Sequence, residues 1–248
     1  MSTSNGVAEA EQPHAMSEWG RLFGIFWEPG AVFKDLAVRP RWLAPFALLI
    51  AMGLIYTYAF SQIVGWQAFL EREFARNPRL QQMSTEMQRQ IIQQQKGIVE
   101  VMSYVGTLAG TAVALLAVAG VMLLAFRMAG STETTFRQFF GATCYAWLPF
   151  ALYQGLSLVV MTYGRPEDFD LKNPLPFNPG WFLDTTSPAW LVSLASSLDL
   201  FSFWVIGLLA LGYSTVAAKV KFGRAVAVVA GTWALFVLAK TGWAAIFG

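Results

Sequence analysis

The sequence predicts an all-α polytopic membrane bundle: five transmembrane helices with an amphipathic extramembrane helical hairpin between the first two. Of 248 residues, 56% are hydrophobic and 13% charged, about half the roughly 25% charge usual in soluble domains. Mean hydropathy is +0.48, too apolar to leave a polar surface over a soluble core of this size. The apolar residues also gather into five runs long enough to cross a bilayer, since about 20 helical residues at 1.5 Å each cover about 30 Å. A net charge of +2 without a basic patch excludes a nucleic-acid binder. One cysteine, Cys144, and one histidine, His14, exclude an internal disulfide framework and an ordinary His/Cys metal site.

Residues 1–18 are polar, with Glu9, Glu11 and Glu18, and lack the basic start and apolar run of a secretory signal. They are expected to form a disordered, retained tail, leaving 19–248 as the membrane domain. Leu22–Phe33 is apolar and aromatic, yet Pro29-Gly30 interrupts it too early for a span. A short interfacial helix, a turn and a second short helix to Val38 follow, with Trp19, Trp27 and Trp42 at headgroup depth, where indole prefers to lie. The spans run about 43–64, 104–126, 139–162, 198–217 and 225–247. Pro149 should kink the third. Ser187-Pro188 is a helix-start signal, so the fourth helix is expected to begin near 188.

In the polar segment 65–103, Asn77-Pro78 marks a turn between two helical arms. In the second arm, Met83, Met87, Ile91, Ile98 and Met102 form an apolar stripe opposite a glutamine-rich face. That stripe is expected to pack on the first arm or the bundle, with a partner or the membrane surface as alternatives. The 163–197 loop, acidic and then proline-rich, is expected to be irregular and to stay out of lipid.

Basic residues set orientation. With the amino terminus inside, the cytoplasmic side holds Arg21, Lys34, Arg39, Arg41, Arg127, Arg137, Lys219, Lys221 and Arg224. The other side holds Arg72, Arg76, Arg79, Arg89, Lys96, Arg165 and Lys172, scattered over long loops that count for less. The amino terminus is therefore expected in the cytoplasm and the carboxyl terminus outside.

Ionisable side chains within spans are costly in hydrocarbon. Asp199 and Lys240 are the two at issue. They are expected either to pair, clamping the last two spans, or to occupy separate interfacial positions. Gly106 and Gly110, continued by Ala114, offer a flat groove for helix packing within the bundle or in a dimer. Cys144, Tyr145 and Gln154 are candidates for a polar seam beside Pro149. Glu133 and Arg137 have the i,i+4 spacing of a surface pair. No constellation for nucleophilic, metal or aspartyl catalysis is present at depth, so neither an enzyme nor a cofactor is expected.

Several motifs resemble the Yip-type membrane proteins, the Ypt/Rab-interacting-protein family, in its bacterial form. They are Pro29, Phe33, Pro40, Trp42 and Pro45 before the first span, and Phe136-Arg137, Ala142 and Tyr145-Ala146-Trp147-Leu148-Pro149 in the third. In the fourth they are Leu198-Asp199-Leu200-Phe201-Ser202-Phe203-Trp204 and Gly212. The resemblance implies five spans with a cytoplasmic amino terminus, in the bacterial inner membrane for a bacterial member. In eukaryotic relatives it implies vesicle trafficking and Rab GTPase association. The chain has no counterpart of their acidic Asp-Leu-Tyr-Gly-Pro run, so GTPase binding does not carry over. The expected function is that of a non-catalytic membrane-organising or adaptor protein, contacting the lipid bilayer and other membrane proteins or its own copies. The competing class is a small permease or transporter subunit, which requires a polar path through broken helices.

Overall fold

A computed structural model describes residues 15–76, 78–130, 133–184, 186–217 and 219–247. Most of the expected disordered tail, 1–14, lies outside the described residues, as does Asn77. Every regular element among the described residues is helical. In hydrocarbon a helix satisfies its own backbone polar groups, so long apolar runs fold this way.

Helices α1 (Glu18–Trp27) and α2 (Pro29–Val38) form a hairpin. Helix begins at Glu18, inside the stretch assigned to the tail, because the Ser17 hydroxyl caps it by accepting from the Gly20 N–H at 3.0 Å. Helix α3 (Leu43–Ile63) is the first span, and α4 (Trp66–Arg76), α5 (Pro78–Gln81) and α6 (Thr85–Val105) follow. A five-residue π-helical turn, Gly106–Gly110, joins α6 to α7 (Thr111–Met128). The polar arm and second span are thus one helix of 44 residues. The wide turn holds Thr107, whose hydroxyl lies 2.9 Å from that of Thr57 on α3.

The arm packs on α4 with a different face from the one its spacing favoured. Ile92 is buried beside Leu70 and Phe74, with Ile91 and Val99 partly buried against them, whereas Met87, Ile98 and Met102 are exposed. Of the expected stripe only Ile91 joins this cluster, beside Ile92 and Val99.

The third span is α8 (Phe136–Ala146) and α9 (Leu148–Tyr163), separated at Trp147. Pro149 is the second residue of α9, so the interruption falls just before it. A proline ring displaces the preceding turn rather than its own. The 163–197 region contains a short 3₁₀ turn, Pro179–Phe182, and helix α10 (Ala189–Ser197). The chain then bends by 50° into α11 (Leu200–Val216), where a single straight helix had been expected. The bend has a local cause: the Asp199 carboxylate accepts from the Ser202 N–H at 2.9 Å and caps a new helix. Helix α12 (Phe222–Phe247) closes the bundle. Among the described residues four helices are long and apolar enough to cross a membrane, five if the bent pair α10–α11 counts as one span.

The core lies where α2, α7, α8 and α11 meet. Phe139 stacks on Tyr213 at 4.6 Å, Phe126 packs edge-on against both, and the Tyr213 hydroxyl lies 2.8 Å from Thr143 Oγ1. At the opposite end, Arg72 on α4 donates to the carbonyls of Glu167 and Phe169 at 2.9 and 3.0 Å, tying the acidic loop down. Beside the core, Glu133 pairs with Lys219 at 2.7 Å rather than with Arg137. The hydrogen bond from Lys219, and then its charge, hold that carboxyl below the usual carboxylate range.

Candidate functional site

The hairpin α1–α2 seats on the end of the bundle where α7 ends and α8 begins. Its inward positions are apolar: Ile25, Val32, Phe33 and Leu36 are fully buried. Close approach is built in at two glycines. A Cβ on Gly24 would lie 3.0 Å from Val32, and one on Gly212 of α11 would lie 2.7 Å from the Phe33 ring.

One inward position of α1 is an arginine. Arg21, one turn before Ile25, is only 1% exposed. Its Nε and Nη2 both reach Asp35 Oδ2 on α2, at 2.6 and 2.5 Å. Its Nη1 donates to Glu18 Oε1 at 3.0 Å. The other Glu18 oxygen accepts from the Tyr145 hydroxyl of α8 at 3.2 Å, and Arg41 also reaches Glu18, at 3.1 Å. Arg39 flanks Asp35 at 3.7 Å. This clasp joins α1, α2, α8 and the entry to α3. A buried guanidinium needs such partners, because an isolated charge taken out of water is strongly destabilising. Sequence reasoning counted Arg21 and Arg41 only as loop charges and placed Tyr145 in a polar seam. The available signal was local: Arg21 lies four residues before Ile25 and three after Glu18, on the helix face opposite the aromatics.

On that opposite face Trp19, Phe23 and Trp27 recur every fourth residue and face outward, Trp19 stacking on Phe23 at 6.3 Å, with Trp19 71% and Trp27 83% exposed. Trp42 differs, its ring packing edge-on against Phe46 and Phe140 at 5.7 and 5.2 Å.

The other candidates are dispersed. Asp199 caps α11, and the Lys240 ammonium reaches Ser197 Oγ on α10 at 3.2 Å. No ion pair joins these two among the described residues. Gly106 and Gly110 are exposed, and a Cβ at either would meet nothing within 4 Å; Ala114 is half-buried. The tight crossing in this bundle is instead at Gly53 of α3, where a Cβ would lie 2.7 Å from the Thr107 methyl. Cys144 is fully buried, and Gln154 lies apart from it, half-buried beside a cavity near Pro149.

The Yip1 domain matches residues 23–243, nearly the whole chain. The chain belongs to the Yip1 domain family. No curated protein and no solved structure matches it. The Yip1 match runs from Phe23 in α1 to Trp243 in α12, so it takes in every span and the clasp residues Asp35, Arg39, Arg41 and Tyr145. The chain is a multi-pass integral membrane protein of a non-enzymatic membrane protein family.

Proposed function

We propose that this Yip1-domain protein is a non-catalytic membrane-organising or adaptor protein acting through protein or lipid contacts of its amino-terminal hairpin. One observation carries the reading. The Arg21 clasp fixes α1 to the bundle while Trp19, Phe23 and Trp27 stand bare on its far side. Aromatic rings presented from a rigid base at the end of a membrane bundle suit headgroup depth or an apolar partner surface. The exposed Gln-rich face of α6 offers a second, more polar surface at the other end. In this reading the amino terminus faces the cytoplasm of a bacterial cell and the carboxyl terminus lies outside. Its support is the cluster Lys219, Lys221 and Arg224, which shares the bundle end that carries the hairpin.

A photo-reactive benzoylphenylalanine at position 23, illuminated in native membranes, is expected to yield discrete adducts with a membrane protein, a second copy or a lipid. Position 236 on α12, equally exposed, supplies the control. Identical adducts from the two positions would sink the proposal. For orientation, a periplasmic-type phosphatase fused after residue 248 is expected to be active. An inactive phosphatase beside an active cytosolic-type reporter reverses the assignment.

A further inference from the structure

Between α3, α7 and α9 lies a cavity of about 350 Å³, lined by Leu49, Tyr56, Trp147, Tyr153, Gln154 and Pro174 among others. A second space of about 180 Å³ shares Phe150, Tyr153 and Lys172 with it and reaches Asn178 and Asp199. Both helix interruptions meet this hollow: Trp147, between α8 and α9, lines the larger part, and Asp199, between α10 and α11, lines the smaller. Interrupted helices in a membrane protein are tolerated where they line a cavity, and such cavities are where membrane proteins hold ligands. Beyond Trp147, α8 is buried from Phe139 to Ala146, so the hollow does not continue toward the amino-terminal hairpin among the described residues.

The lining chemistry is selective. The side chains of Tyr56, Tyr153 and Gln154 have no hydrogen-bond partner among the described residues. Each is half-buried with its polar atoms still accessible, so these donors and acceptors are open to whatever fills the hollow. The charged groups at the rim are already engaged. Lys172 Nζ sits 2.5 Å from Glu73, and Asp199 caps Ser202. In the larger part Lys172 is the one charged lining residue among the described residues, and Glu73 holds it, so a charged ligand finds no free counter-charge there, whereas an uncharged one with hydroxyl or carbonyl oxygens finds donors and acceptors. Leu49, Phe150 and Pro174 supply apolar wall, and the larger part alone falls at the low end of the ~300–1,000 Å³ typical of small-molecule sites.

We infer that this cavity binds an uncharged, hydroxyl-bearing molecule, its oxygens set among Tyr56, Tyr153 and Gln154. The glycerol head of an acylglycerol from the bilayer and a free polyol from water share this chemistry. The test is photolabelling of the purified full-length protein with a diazirine-tagged monoacylglycerol, with adducts mapped by mass spectrometry. Adducts are expected in 147–157 and are displaced by 1-monooctanoylglycerol but not by lysophosphatidylcholine. Labelling falls about three- to tenfold in Gln154→Leu and in Tyr153→Phe, the loss of one hydrogen bond each. Both variants keep side-chain volume, and Tyr153→Phe also keeps the edge contact with Phe201, so thermal unfolding of the latter stays near wild type. Displacement by free glycerol as well assigns the site to polyols, and displacement by monooctanoylglycerol alone assigns it to bilayer acylglycerols. Equal displacement by lysophosphatidylcholine, or adducts on α12 as strong as those in 147–157 with no loss in the variants, overturns the inference.

Discussion

Replacing Arg21 by methionine is expected to destabilise the protein by about 3–5 kcal/mol, the usual cost of removing one partner from a buried ion pair. The cost arises from what stays behind. Asp35 is only 13% exposed and loses both close donors, at 2.5 and 2.6 Å, and Glu18 loses its bond at 3.0 Å. Arg39 cannot replace them from 3.7 Å, and at 37% exposed its own pair with Asp35 is largely solvated. Arg39→Met should therefore cost about 1 kcal/mol or less. Lysine at position 21 should not rescue, because an ammonium does not reproduce a guanidinium fork shared between two carboxylates. Removing both charges, as Arg21→Met with Asp35→Leu, should recover much of the loss, since an apolar pair often replaces a buried ion pair without penalty. Thermal unfolding in detergent, with proteolysis of α1 as a local probe, measures all four variants. Equal stability of Arg21→Met and Arg39→Met would show that the clasp does not hold the hairpin.

The second large effect is expected at the Phe33–Gly212 contact. Phe33 is fully buried, and its ring lies on the bare backbone of α11, where a Cβ at 212 would come within 2.7 Å of one ring carbon and 3.0 Å of two more. Phe33→Ala empties this site and should cost about 3–5 kcal/mol. Gly212→Val overfills it and should cost about 1–3 kcal/mol, as the ring is pinned by neighbours and cannot swing aside. The two changes share one space, so their effects should not add: the double variant is expected to be more stable than the sum of the single losses implies. Additive losses in a double-mutant cycle would mean that the ring and the helix backbone are not in contact.

How much of this was legible varied with the range of the interaction. The α1–turn–α2 pattern followed from Pro29, because proline at the first helical turn starts a helix and ends the one before it. The 50° bend at Asp199 was also local, written in an N-cap residue three positions before the N–H it accepts. It was obscured by an apolar run that reads as continuous. The Gly106–Gly110 pair shows a different limit. Small residues permit close helix approach, but do not say on which side a neighbour stands. Here the neighbour stands at Gly53, with Thr57 one turn on and Thr107 opposite.

By itself, the sequence determined that this is a multi-pass helical membrane protein and roughly where its helices lie. In lipid, backbone hydrogen bonds must close within each helix, so the length of an apolar run is enough to specify a span. Only the tertiary structure decided that Arg21 lies buried against Asp35, that Tyr145 reaches Glu18 from 127 residues away, and that both helix breaks open on one hollow. Those features depend on how helices rotate and cross. A helix that is apolar all round carries almost no record of which side faces its neighbour, so the charged clasp and the cavity emerge only once the bundle is assembled.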